Sequence, residues 1–138
     1  MGLELYMVGV VVEDMARSIE FYRRLGVDIP EGSEKLPHVG IKMKDITMFL
    51  TTKPMNARWD PARTEASGGY RIILEFYLKT RQAVDEKYAE LIGYGYQSRV
   101  APYETDFKIY FALVNDPDGN TILLSGDEGD PLPKNGSN

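Results

Sequence analysis

The sequence predicts an α+β fold built from two tandem β-α-β-β-β modules, and three observations carry that prediction. First, the second half repeats the first: Met7-Val8-Gly9-Val10-Val11-Val12-Glu13-Asp14 lines up with Ile73-Leu74-Glu75-Phe76-Tyr77-Leu78-Lys79-Thr80 at an offset of 66. Second, Asp45 to Thr51 lines up with Gly119 to Ser125 at an offset of 74. Between these, the helices agree at Tyr22 with Tyr88 and at Leu25 with Leu91. Third, 138 residues suit one domain, whereas a lone copy of about 70 residues is marginal, so the copies share a core or pair with another chain. A solenoid needs at least about three repeats, so two copies read as a doubled fold.

Each element follows from local chemistry. The first strand is expected over Leu3 to Val12, a β-branched run. Asp14 then caps a helix whose Ile19, Phe21, Tyr22 and Leu25 recur at helical spacing, and Gly26 ends it. A short extended piece, Val27 to Pro30, leads to a hairpin of His38 to Met43 and Ile46 to Thr51, turned at Lys44-Asp45. The connection from Thr52 to Gly69 holds Trp59, the only tryptophan, and connections of that length tend to be functional or disordered. The second copy is expected as a strand from Tyr70 to Leu78, a helix from Thr80 to Ile92, a strand near Tyr96 to Tyr103, and strands Lys108 to Val114 and Asn120 to Ser125 turned by Asp116-Pro117-Asp118-Gly119. The predicted organisation is one domain over residues 1–126, with modules 1–52 and 70–126 joined by a linker 53–69, and a disordered tail over 127–138.

Composition narrows the function classes. A net charge of −5 without a clustered basic face argues against nucleic-acid binding. The absence of cysteine removes disulfides, thiol nucleophiles and thiolate metal sites. No stretch reaches about 18 apolar residues, and Met1 to Leu5 shows no basic region leading into an apolar core, so no membrane span and a cytoplasmic location are expected.

The run Val8-Gly9-Val10-Val11-Val12-Glu13-Asp14-Met15-Ala16-Arg17-Ser18-Ile19-Glu20-Phe21-Tyr22, together with Asn115-Asp116-Pro117-Asp118-Gly119-Asn120 before a closing strand, resembles the vicinal oxygen chelate superfamily of glyoxalase I, extradiol dioxygenases and bleomycin-resistance proteins. The resemblance implies paired modules whose curled mixed sheets enclose a cavity, often assembled as a homodimer. Strand alternation agrees, because a half-polar face opposite the helices is a natural place for a pocket. In metal-dependent members, His or Glu/Gln side chains from the first and last strand of each module converge on a divalent ion. The matching positions here are Met7, Phe49, Ile73 and Leu123, none of which donates to such a metal. The expectation is therefore no metal and no cofactor.

Strand parity selects the remaining candidates. If Ile73 faces the cavity, so do Arg71, Glu75 and Tyr77, while Ile72, Leu74, Phe76 and Leu78 pack on the helices. Glu75 is the best candidate general base or cation holder, against the plainer reading that it pairs with Arg71 or with a residue across a dimer. His38, the only histidine, falls on the cavity face with Gly40 and Lys42, and the 74 offset adds Tyr110, Ala112 and Val114. Tyr77 and Tyr110 suit either a planar ligand or an ordinary half-buried strand. Trp59 suits an aromatic lid or a packing anchor. The function expected is a small-molecule-binding protein of the bleomycin-resistance type, a homodimer sequestering an aromatic or cationic ligand, with a role in resistance or metabolism left open. The alternatives are a metal-independent isomerase or lyase using Glu75 or His38 as base, and a divergent metalloenzyme.

Overall fold

The structure is a computed structural model that describes residues 4–67, 69 and 71–133, and it divides into two compact units, Met1–Gly68 and Gly69–Asn138. In unit one, β1 (Met7–Val12) leads into helix α1 (Met15–Leu25), followed by a 3-10 turn (Ser33–Lys35), β2 (His38–Lys42), β3 (Thr47–Thr52) and a short helix α2 (Lys53–Trp59). Asp14 caps α1 by accepting from the Arg17 amide at 3.1 Å, a contact worth about 1 kcal/mol. Gly26 ends the helix at φ 123°, a conformation that side chains with a Cβ rarely adopt.

The sheet of unit one has the order β1-β3-β2, with β1 parallel and β2 antiparallel to the central strand. Alternation sorts its two faces. Val10, Val12, Val39, Ile41, Met48 and Leu50 are buried on one face, and α1 buries Ile19, Phe21, Tyr22 and Leu25. Met7, Gly9, His38, Gly40 and Lys42 fall on the opposite, exposed face, as parity requires. Val27 and Ile29 are buried, but no strand forms between Val27 and Pro30, so the extended piece expected there stays outside the sheet. The Arg23 guanidinium holds it instead, donating to the Ile29 carbonyl at 3.0 Å and the Pro30 carbonyl at 2.7 Å and pairing with Glu34.

Unit two carries the full β-α-β-β-β order: β4 (Ile73–Tyr77), α3 (Arg81–Gly93), β5 (Ser98–Glu104), β6 (Tyr110–Asn115) and β7 (Thr121–Ser125). Its sheet runs β4-β7-β6-β5, with β4 parallel to β7 and the other pairs antiparallel. Thr80 caps α3 by accepting from the Ala83 amide at 3.0 Å. The core is Val84 and Leu91 of α3 against Ala112, Val114, Ile122 and Leu124. Ile72, expected to pack on the helices, is 71% exposed and precedes the strand.

Two sequence expectations need correction in unit two. Ala112 and Val114 are fully buried in the core and Tyr110 reaches α3, so these three residues lie on the helix side and not on the open face. The cause is a turn of unequal length. Lys42 pairs with Thr47 across five positions, whereas Asn115 pairs with Thr121 across six. The extra residue shifts the offset from 74 in β7 to 73 in β6, and a shift of one exchanges the faces of a strand. Phe111 and Leu113 are therefore the counterparts of His38 and Gly40.

The second correction concerns the segment after Gly126. Asp127 and Glu128 amides both donate to the Lys79 carbonyl, the Arg81 amide donates to the Glu128 carbonyl at 2.9 Å, and the Leu132 amide donates to Asp85 Oδ2 at 2.7 Å. Residues 127–133 thus lie strapped along the start of α3; the rest of the expected tail, residues 134–138, falls outside the described residues.

Candidate functional site

The open face of unit one is built on a glycine. Gly9 of β1 pairs with Phe49 of β3, and the Phe49 ring lies directly over it: a Cβ at position 9 would stand 2.1 Å from Phe49 Cζ. The His38 ring stacks on Phe49 with centroids 4.9 Å apart and planes 28° from parallel. Trp59 approaches the same ring edge-on, at 6.4 Å and 67°. Each such aromatic pair is worth about 0.5–1.5 kcal/mol beyond area burial. Trp59 nevertheless remains 56% exposed, so the cluster is a platform with a free face.

Helix α2 delivers Trp59 to this platform. The sequence reading placed a connection without secondary structure here, from Thr52 to Gly69. Thr52 instead caps the helix, accepting from the Met55 amide, and Pro54 sits in the first turn, where its missing N–H costs nothing. The helix packs on β3 and β1. Lys53 bridges Glu13 and Glu65, and Arg63 donates to the buried Asn56 side chain at 2.7 Å, which ties the following loop back to the helix.

On the open face of unit two, Ile73, Glu75 and Tyr77 of β4 lie beside Thr121, Leu123 and Ser125 of β7. Glu75 is exposed and its Oε2 accepts from Ser125 Oγ at 2.7 Å. Arg71 precedes the strand, and no ion pair joins it to Glu75 among the described residues. Tyr77 donates to Asp127 Oδ1 at 2.7 Å; that bond to a carboxylate, with some burial, pushes its phenol up to about 12 and holds its proton in place. Tyr110 lines a different place, a groove of about 860 Å³ between α3, β5 and the 127–133 strap. Its hydroxyl donates to Asp85 at 2.5 Å and Arg81 lies 5.3 Å over its ring, while burial raises its phenol pKa far above the ordinary range.

Of the residues singled out in the sequence, His38, Phe49 and Trp59 thus come together in unit one, with Met7 on the same strand face. Ile73, Glu75, Tyr77 and Leu123 come together in unit two, while Arg71 and Tyr110 join neither group. Gly9 and Thr51 escaped sequence reasoning. Their one signal was position: in the repeat, Gly9 matches Glu75 and Thr51 matches Ser125, the two residues that hydrogen-bond in unit two.

The chain belongs to the Glyoxalase/Bleomycin resistance protein/Dioxygenase superfamily, whose family model matches residues 5–124. Among solved structures, it is similar to a glyoxalase/bleomycin resistance protein/dioxygenase family enzyme from Burkholderia phytofirmans PsJN, with 22% identity over 91% of this chain and 100% of that one and a TM-score of 0.79. A glyoxalase/bleomycin resistance protein from Albidiferax ferrireducens T118 shares 27% identity over 94% and 98% of the two chains, with a TM-score of 0.66. A lactoylglutathione lyase from Agrobacterium tumefaciens shares 20% identity over 89% and 92%, also at a TM-score of 0.66. No functionally curated protein matches the chain.

The metal that the family implies can be tested against the donor set. The register places Met7 and Phe49 on the open face of unit one and Ile73 and Leu123 on that of unit two. Their side chains offer hydrocarbon and one soft thioether, which do not fit a hard or borderline divalent ion. Among the described residues no group of three or more His, Cys, Asp or Glu side chains converges to hold one.

Proposed function

We propose that this chain is a small-molecule-binding protein of the glyoxalase/bleomycin-resistance type that works without the family metal site and takes a planar aromatic ligand on the open face of unit one. The observation that carries the reading is the Phe49 platform: a ring laid on Gly9, backed by His38 and flanked by a half-exposed Trp59. A ring-shaped ligand gains stacking on Phe49 and Trp59 where a metalloenzyme would hold donors. The test is a thermal-shift screen of aromatic acids, amines and thiol conjugates, since a ligand at 100 times its Kd adds about 2.7 kcal/mol to stability. A planar aromatic compound should raise the melting temperature of the wild type and fail to do so in Trp59→Ala; a panel without any such compound contradicts the reading.

The assembly proposed is a homodimer. Both β1 and β4 are sheet-edge strands, and their neighbourhoods expose Leu5 and Tyr6 at 71%, Met7 at 41%, Ile72 at 71% and Ile73 at 43%. Exposed apolar edges of this kind invite pairing with another chain. Sedimentation equilibrium should return twice the 15.6 kDa chain mass, and a monomer at all concentrations would contradict it.

A further inference from the structure

The internal repeat exposes a difference between the two open faces that bears on the ligand. In unit two, Ser125 Oγ donates to Glu75 Oε2 at 2.7 Å, so a hydroxyl on the last strand is satisfied by a carboxylate on the first. The register makes Thr51 the counterpart of Ser125 and Gly9 the counterpart of Glu75: β1 and β3 pair as Gly9 with Phe49 and Val11 with Thr51, and β4 and β7 pair as Glu75 with Leu123 and Tyr77 with Ser125. Unit one therefore keeps the hydroxyl and lacks the carboxylate. Thr51 is fully buried, and its Oγ1 has no hydrogen-bond partner among the described residues. A buried hydroxyl left unsatisfied is costly, so its retention calls for an explanation.

The missing carboxylate leaves room, and that room is filled by a movable group. The Phe49 ring occupies the position that a side chain at residue 9 would take, with its Cζ, Cε1 and Cε2 atoms all within 2.7 Å of the built Cβ. Phe49 is itself only half-buried, and it is joined to the strand through two rotatable bonds. The polar groups on this face suit an anion: the His38 imidazole, a hydrogen-bond donor, stands across the strands from Thr51, and the Lys42 ammonium on the same face has no carboxylate partner among the described residues.

We propose that Thr51 is an anion-accepting subsite, equivalent to the place where unit two binds its own Glu75, and that the ligand of unit one is an aromatic carboxylate. The ligand turns the Phe49 ring aside and lays its carboxylate over Gly9 so that it accepts a hydrogen bond from Thr51 Oγ1. Its aromatic part then stacks with Phe49, Trp59 and His38. This rests on the reading of the open face of unit one as a ligand site and specifies the chemistry that the site selects.

Calorimetric titration of benzoate and naphthoate against their neutral isosteres, benzamide and naphthamide, tests it. The wild type should bind each acid at least about tenfold more tightly than its amide. Thr51→Val, which keeps the shape and removes the hydroxyl, should lose that preference while retaining amide binding. It should also melt no lower than the wild type, because the hydroxyl it removes has no partner to lose. The double variant Gly9→Glu with Phe49→Leu rebuilds the arrangement of unit two and should refuse both acids. Acids bound no better than amides, or an unchanged preference in Thr51→Val, would overturn the subsite and leave the aromatic platform standing. Binding of none of the four compounds overturns the subsite too; the platform is then judged by the thermal-shift screen alone.

Discussion

Gly9→Val is expected to abolish aromatic-ligand binding while leaving the protein folded. The side chain would enter the volume of the Phe49 ring, which stands 2.1 Å from the first atom added. The ring is the far end of a rotatable side chain, so it can turn outward, and the protein loses only the His38 and Trp59 contacts, about 0.5–1.5 kcal/mol each. Valine also suits a strand better than glycine, which offsets part of that loss. The binding surface has no such recourse, because the valine fills the space over Gly9 where the ligand would lie. Chemical denaturation should show a loss of stability of about 2 kcal/mol or less, with affinity reduced by at least about tenfold. A variant that binds normally would mean the platform is not the site.

Asp116→Ala should be among the most destabilising single changes in unit two. The side chain is 4% exposed and closes the turn between β6 and β7: Oδ1 accepts from the Asp118 amide at 2.9 Å and the Asn120 amide at 2.8 Å, and Oδ2 accepts from the Asn120 side chain at 2.8 Å. A hydrogen bond to a charged group is worth about 1.5–3 kcal/mol, so losing this set should cost on the order of 3 kcal/mol. Asp116→Asn should fall between, since its oxygen still accepts from the two backbone amides while its NH2 faces the Asn120 NH2. Urea unfolding measures the difference, and equal stability of the alanine and wild-type proteins would show that the turn is held by other contacts. The turn matters beyond its own energy, because its length sets which residues of β6 face outward.

That length is also where sequence reasoning failed. Helix α1 was legible end to end, since Asp14 and Gly26 cap it chemically and Ile19, Phe21, Tyr22 and Leu25 mark its buried side. The faces of β2 and β3 followed from alternation alone. Tyr110 was misplaced because the 74 offset, valid in β7, was carried across a turn one residue longer than its counterpart. Helix α2 was missed because a stretch rich in Pro and Asn reads as a connection, although Thr52 and Pro54 suit a helix start. The strap over residues 127–133 is held mainly through backbone amides, which leave no residue pattern to read. In the site, the aromatic members were identifiable by type, yet Gly9 gained meaning only once the Phe49 ring was seen above it, and Thr51 only once Ser125 was seen bonded to Glu75.

The most direct measurement is a titration of Trp59 emission with a planar aromatic acid, run with and without EDTA. Trp59 is the only tryptophan, so the signal reports the platform alone. The emission should change saturably with the ligand and identically in both buffers, and the change should vanish in Gly9→Val. A response that requires metal, or that EDTA removes, would contradict an apolar platform standing where the metalloenzymes of this superfamily hold their ion.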